Sequence, residues 1–217
     1  MRSSKDFEAA RASLVKHLGA EIRDQQVLAV MKRVPRELFV PSDSRHLAYE
    51  DRPMPIGYEQ TISQPFIIAL MTQALALTGQ EKVLEVGTGS GYQAAILAKL
   101  AQLVITVERL APLAGEARKV LDSLGYANIV IHMAKETLGW PDEAPYDAIM
   151  VTAAAPRVPT VLIDQLAVGG RLVIPVGQRY LQQLYKITKC RDKNITEDLG
   201  GCCFVSLIGK GAWEEER

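Results

Sequence analysis

The stretch Val83-Leu84-Glu85-Val86-Gly87-Thr88-Gly89-Ser90-Gly91-Tyr92 decides the fold. It reads as a buried strand that breaks into a glycine-rich turn and then a helix. Such a unit puts backbone N–H groups beside a bound ligand at a helix N-terminus. The text downstream repeats the alternation. Lys82–Val86, Leu103–Val107, Ile129–His132, Ala148–Val151 and Arg171–Pro175 read as strands. Tyr92–Leu100, Ala111–Leu124 and Val158–Leu166 read as the helices among them, the last closed by Gly169-Gly170. Gln182–Thr188 and Cys202–Ile208 follow as two strands with no comparable helix between them. This pattern predicts an α/β fold: a doubly wound, mostly parallel seven-stranded sheet ending in an antiparallel β-hairpin.

Upstream, the first forty residues read as helical. Phe7, Leu14 and Leu18 recur at helical intervals, as do Val27, Val30, Met31 and Val34 behind Asp24, a candidate N-cap. Pro35 stops that helix. From Val34 to Gly57 the prolines at 35, 41, 53 and 55 predict an ordered but irregular loop. Ser63-Gln64-Pro65 then opens a helix with Pro65 near its first position. The chain reads as one domain, 1–217: a helical extension and loop (1–60), an α/β core (61–177), and a hairpin and tail (178–217) that ends in a solvated Glu214–Arg217.

Composition narrows the class. Of the 217 residues, 48% are hydrophobic and 23% charged, the balance of a globular enzyme. Lys+Arg and Asp+Glu are both 25, so nothing predicts a nucleic-acid footprint or an anionic membrane surface. No apolar run is long enough to span a bilayer, and Met1–Asp6 lacks the apolar core of a signal peptide. Cys190, Cys202 and Cys203 form no even disulfide framework, which fits a reduced, cytoplasmic protein. His17, His46 and His132 have no ligand spacing, so no metal is expected.

The glycine spacing narrows the ligand. Gly87, Gly89 and Gly91 form GxGxG, whereas the dinucleotide fingerprint places its third glycine at position 92, where Tyr92 stands. Glu85, two residues before Gly87, suits a ligand with positive charge better than a pyrophosphate. Glu108 ends the second strand, 21 residues beyond Gly87, where a carboxylate can accept both ribose hydroxyls of an adenosine. Glu108 says nucleoside; the spacing and Glu85 favour a sulfonium, S-adenosylmethionine, over NAD.

The chain also resembles protein-L-isoaspartate O-methyltransferases. The matching residues are Val34-Pro35-Arg36-Glu37-Leu38-Phe39-Val40-Pro41, Pro53-Met54-Pro55-Ile56-Gly57 and Gln60-Thr61-Ile62-Ser63-Gln64-Pro65. They continue through Leu84–Tyr92, Val107-Glu108-Arg109, Thr137-Leu138-Gly139-Trp140, Tyr146–Pro156 and Gly169–Gly177. The resemblance implies methyl transfer from S-adenosylmethionine, leaving S-adenosylhomocysteine, to the α-carboxylate of L-isoaspartyl residues in damaged peptides and proteins. It implies a cofactor site at Glu85, Gly87, Thr88, Gly89, Gly91, Glu108 and Arg109. It implies substrate binding by Thr61, Ile62, Ser63 and Gln64, with Ser63 orienting the acceptor. An acceptor carboxylate with a pKa near ~4 is already ionised at neutral pH, so no general base is required. Read alone, Ser63 is also a candidate helix N-cap, and the two roles can coexist. A monomer is expected.

Three departures from the family's pattern stand out. Ala134-Lys135-Glu136 replaces a usual Gly-Asp-Gly whose acidic residue contacts the adenine amino group. Cys203 and Ser206 stand where Arg and Pro or Lys are common, and Glu59 where Gly or His is. Two alternatives follow: another carboxylate acceptor, or a weakly active or non-catalytic peptide-binding relative.

Overall fold

The computed structural model describes residues 4–214, so the tail expected beyond Glu214 lies outside the described residues. The elements are α1 (Ser4–Leu18), α2 (Gln25–Met31), β1 (Met54–Gly57), β2 (Gln60–Ile62), α3 (Pro65–Leu75), β3 (Lys82–Val86), α4 (Tyr92–Ala98) and β4 (Leu103–Glu108). After them come α5 (Ala111–Ser123), β5 (Ile129–Met133), β6 (Tyr146–Val151), α6 (Thr160–Asp164), β7 (Leu166–Gln178), β8 (Leu181–Thr188) and β9 (Ile195–Cys202). Seven strands form one sheet in the order β5-β4-β3-β6-β7-β8-β9. Pairing is parallel from β5 across to β7 and antiparallel through β8 and β9.

The central strands are apolar on both faces because both are covered. Val83, Val104, Ala148 and Met150 pack with Met71 and Leu75 of α3 and Ala94 and Leu97 of α4. Their alternates Leu84, Val86, Ile105, Val107, Ile149 and Val151 pack with Leu162 of α6. From β3 the chain runs outward to β4 and β5, then returns to β6 on the other side of β3. A crevice opens where the direction reverses, beyond the carboxyl ends of the strands.

Both N-terminal helices form, but α2 ends at Met31, so Val34 lies beyond it and Pro35 is not what stops it. The Asp24 carboxylate caps α2, accepting from the N–H groups of Gln26 and Val27. α3 differs at its start: its N-cap is Gln64, not Ser63, and the capping carboxylate comes from Asp51. Asp51 accepts from Phe66 N at 2.8 Å and Gln64 Nε2 at 3.0 Å. Ser63 is thereby left outside the helix.

Three further expectations are corrected. Within Val34–Gly57, two 3-10 turns lead into β1, which pairs with β2 as a hairpin. α6 is shorter than the expected Val158–Leu166, because Pro159 sits at its N-cap and Leu166 already belongs to β7. Gly169-Gly170 therefore lies within that strand rather than closing the helix. The last strand is Ile195–Cys202, not Cys202–Ile208. As the sheet's edge strand it is largely exposed, so it carries no alternating apolar signal. The segment after it is apolar because it crosses the top of the sheet, with Ser206 bridged to Ala154.

The β1–β2 hairpin turns on Tyr58 and Glu59, with φ of 51° and 58°. Gly57 pairs with Gln60, so the loop has two residues, and positive φ at both is the type I′ pattern that favours Asn and Gly. A residue with a Cβ held in this region costs about 1–2 kcal/mol. Glu59→Gly is therefore expected to raise the melting temperature by about 2–4 °C, read by circular dichroism. An unchanged or lower value would show that the turn holds no such strain.

Candidate active site

A cavity of about 1020 Å³, including its open mouth, lies beyond the carboxyl ends of β3, β4, β5 and β6. Its walls are the Gly87–Ser90 turn, Glu108 and Arg109 after β4, and Ala134 and Lys135 after β5. Thr152 and Ala153 after β6, the Gln60–Ser63 segment and Val205–Ile208 close the remaining sides.

The turn is held from below. Gly87 N and Thr88 N both donate to the Val107 carbonyl, at 2.9 and 3.2 Å. Gly87 has φ of +102°, and a Cβ there would stand 2.3 Å from the Thr152 hydroxyl oxygen. That hydroxyl donates to the Gly87 carbonyl at 2.6 Å. Gly91 has φ of +85°, and its missing Cβ admits Ala117 and Leu121 of α5. The Glu108 carboxylate accepts from Gly89 N and Leu110 N, each at 2.9 Å, and keeps unused lone pairs toward the cavity.

Glu85 is elsewhere than expected. It is fully buried beneath the turn and does not line the cavity. The β3–β4 register sets it opposite Thr106, whose hydroxyl donates to its Oε2 at 2.5 Å. The Thr106 hydroxyl lies 2.7 Å from that of Thr88, on the cavity wall. Among the described residues, Glu85 Oε1 has no hydrogen-bond partner. Burial first, then the nearby charge of Glu108, pushes the Glu85 pKa up to about 8 against the Thr106 hydrogen bond. The group is thus a largely neutral carboxyl at pH 7, not a standing counter-charge.

On the opposite wall, Ser63 is held through its backbone. The Arg36 guanidinium, completely buried, donates from Nη2 to the Ser63 carbonyl at 2.8 Å and from Nε to the Ala48 carbonyl at 2.9 Å. It also lies 5.0 Å from the centre of the Tyr92 ring. Burial lowers its pKa only to about 10, so it stays charged. At the β5 end, the Lys135 ammonium is tied to Asp142 at 2.6 Å and sits 4.2 Å from the centre of the Trp140 ring.

The fold thus brings Thr61, Ile62, Ser63, Gly87, Thr88, Gly89, Glu108 and Arg109 onto one cavity. Glu85, Gly91 and Gln64 stand behind its walls: Glu85 under the floor, Gly91 against α5, and Gln64 on Asp51. Sequence reasoning gave no role to Arg36, Asp51, Thr106 or Thr152. Thr106 alone left a signal, a polar residue inside an otherwise apolar run.

The raised Glu85 pKa predicts a pH dependence of the ligand-free protein. Its protonated form is favoured in the fold, while the unfolded chain ionises near the ordinary 4.5. Stability is therefore lost as pH rises from about 4.5 to about 8, and the penalty is constant above that. Glu85→Gln removes it: relative to wild type, the variant's melting temperature should rise between pH 5 and about pH 8 and level off above that. A difference independent of pH would reject the raised pKa.

Similarity to known proteins agrees with this geometry. The sequence profile described as Protein-L-isoaspartate(D-aspartate) O-methyltransferase (PCMT) matches residues 9–212. Protein-L-isoaspartate O-methyltransferase 1 of Syntrophobacter fumaroxidans is 52% identical over 211 residues, covering 96% of this chain and 99% of that protein. The Geobacter metallireducens protein-L-isoaspartate O-methyltransferase is 53% identical, covering 98% and 100%. A solved structure of a Plasmodium falciparum protein of this name, in complex with S-adenosyl-L-homocysteine, superposes with a TM-score of 0.80 at 29% identity, covering 92% of this chain and 99% of that one. A cavity with a glycine turn on one wall and the Thr61–Ser63 segment on another, in a chain that matches these proteins over nearly its whole length, places it in a single lineage: it belongs to the protein-L-isoaspartate(D-aspartate) O-methyltransferase family.

Proposed function

We propose that this chain methylates the free α-carboxylate of L-isoaspartyl residues in damaged peptides and proteins, using S-adenosylmethionine. The observation that carries this reading is that the glycine turn and Ser63 face one cavity, so cofactor and acceptor sites meet without rearrangement. The residues suit the cofactor. Positive-φ glycines let the backbone approach it, and Glu108 offers carboxylate lone pairs at the cavity wall. When bound, S-adenosylmethionine supplies an electrophilic methyl group on a sulfonium and departs as S-adenosylhomocysteine.

The chain's own residues do the positioning. Gly87, Thr88 and Gly89 line the floor, Glu108 accepts the ribose hydroxyls, and Arg109 flanks them. Glu85 supports this floor through Thr106 and Thr88 rather than by contact. Ser63 donates its hydroxyl to one oxygen of the acceptor carboxylate. Its own position is fixed by Arg36 at its carbonyl and by Asp51 at the start of α3. Thr61 and Ile62 wall the acceptor side, and Gln64 holds the segment to Asp51. An ionised acceptor is already nucleophilic, so alignment and exclusion of water suffice. In this reading the protein acts as a monomer in the cytoplasm, on peptides and proteins rather than on nucleic acid or membranes.

Lys135 favours a weaker cofactor site as a second reading. The adenine would lie against Ala134 and Lys135, and an ammonium offers no acceptor to the adenine amino group. Lys135→Asp is expected to tighten S-adenosylmethionine binding about tenfold, a gain of one hydrogen bond to a charged group. Calorimetry reads this directly, and no binding by wild type at physiological concentrations would favour a non-catalytic role.

Ser63→Ala should slow methyl transfer to an isoaspartyl peptide about 10- to 100-fold while leaving cofactor affinity nearly unchanged. Glu108→Ala should do the reverse at saturating peptide, weakening cofactor binding about tenfold or more. A matched peptide with ordinary aspartate should remain unlabelled. Equal labelling of both peptides, or of neither, rejects the proposed substrate.

A further inference from the structure

A second cavity, of about 1110 Å³, adjoins the first and has different chemistry. Arg157, Pro159 and Thr160 line it from the β6–α6 connection, and Lys210 faces them from the C-terminal segment. Thr137 belongs to both cavities, and its backbone bridges that of Lys210, so the two hollows share a wall. Among the described residues, no acidic side chain lines the second one.

Its two cations are uncommitted. Among the described residues, the exposed side chains of Arg157 and Lys210 hold no carboxylate. Two other exposed cations are paired, Lys135 with Asp142 and Arg52 with Glu50. The whole chain has zero net charge, so this pair is a local asymmetry rather than part of a basic surface.

We propose that this groove is a subsite of the peptide substrate, where Arg157 and Lys210 bind an acidic side chain flanking the methylated residue. The inference rests on the isoaspartyl reading of the neighbouring cavity and adds a sequence preference to it. Reach sets the position. The same connection lends Ala153 to the first cavity and Arg157 to the second, four residues later. That stretch spans at most about 14 Å, the length of about four extended peptide residues. In this proposal an Asp or Glu within about four positions of an acceptor seated at Ser63 occupies the groove, since the two cavities share the Thr137 wall. Thr137 and Thr160 offer hydroxyls to the same carboxylate.

Exposed ion pairs act mainly on encounter and affinity, and salt screens them. The test compares isoaspartyl peptides bearing a single Asp, Ala or Lys at each of four positions on either side of the acceptor. At low salt, wild type should show a KM about two- to tenfold lower for Asp than for Lys at one or more positions, with kcat unchanged. The preference should shrink in 0.5 M salt, disappear in the double variant Arg157→Gln/Lys210→Gln, and reverse in Arg157→Glu/Lys210→Glu. Cofactor affinity and the rate on the all-Ala peptide serve as the folding control and should be unchanged in the Gln variant. Equal KM values for Asp and Lys peptides in wild type, or a preference that survives in both double variants, overturns the groove assignment. Failure of wild type to methylate even the all-Ala isoaspartyl peptide overturns instead the substrate reading on which it rests.

Discussion

The N–H groups of Gly87 and Thr88 converge on the Val107 carbonyl, and the cofactor side of the site depends on that junction. It exists because β3 and β4 run parallel with Val86 beside Val107, so the chain leaving β3 has a carbonyl to turn upon. The same register sets Glu85 against Thr106 below the turn and brings Glu108 to Gly89 at its edge. A shift by one residue would turn Glu85 to the other face of the sheet and leave the turn without its support.

The proposed acceptor side is built by a different device. Ser63 lies between a short hairpin and α3, and it is held by groups from distant parts of the chain. Arg36 reaches its carbonyl from 27 residues upstream, and Asp51 caps the helix that follows. A buried guanidinium that spans two backbone carbonyls is a rigid tie, because its donors lie in one plane. The site is therefore one rigid wall from the sheet and one from a tethered loop. The cavity is the space between them.

Charge is distributed accordingly. The carboxylate that faces the cavity, Glu108, is fixed by backbone donors, while the carboxyl below it, Glu85, is held neutral by burial. The sequence shows two glutamates on neighbouring strands and suggests contact with the ligand for both, Glu85 at its positive charge and Glu108 at its ribose. The burial that divides them is a property of the packed sheet.

Much of the molecule was legible in the chain. Apolar runs punctuated by glycine and proline located β3 to β6, α4 and α5, and the GxGxG spacing with Tyr92 pointed away from a dinucleotide. Glu108 was expected at the cavity from its place at a strand end, and Thr61–Ser63 from the family resemblance; all four line it. What stayed hidden was set by contacts distant in sequence. The edge strand Ile195–Cys202 has no apolar period because it is solvated, whereas the apolar Val205–Leu207 segment is not a strand but a cavity wall. Gln64 rather than Ser63 caps α3 because Asp51 arrives from outside. Sequence by itself determined which segments must be buried and where the backbone must turn, since periodicity and glycine act locally. Only the tertiary structure decided which polar groups meet, because Arg36, Asp51, Thr106 and Thr152 acquire their parts from partners far along the chain.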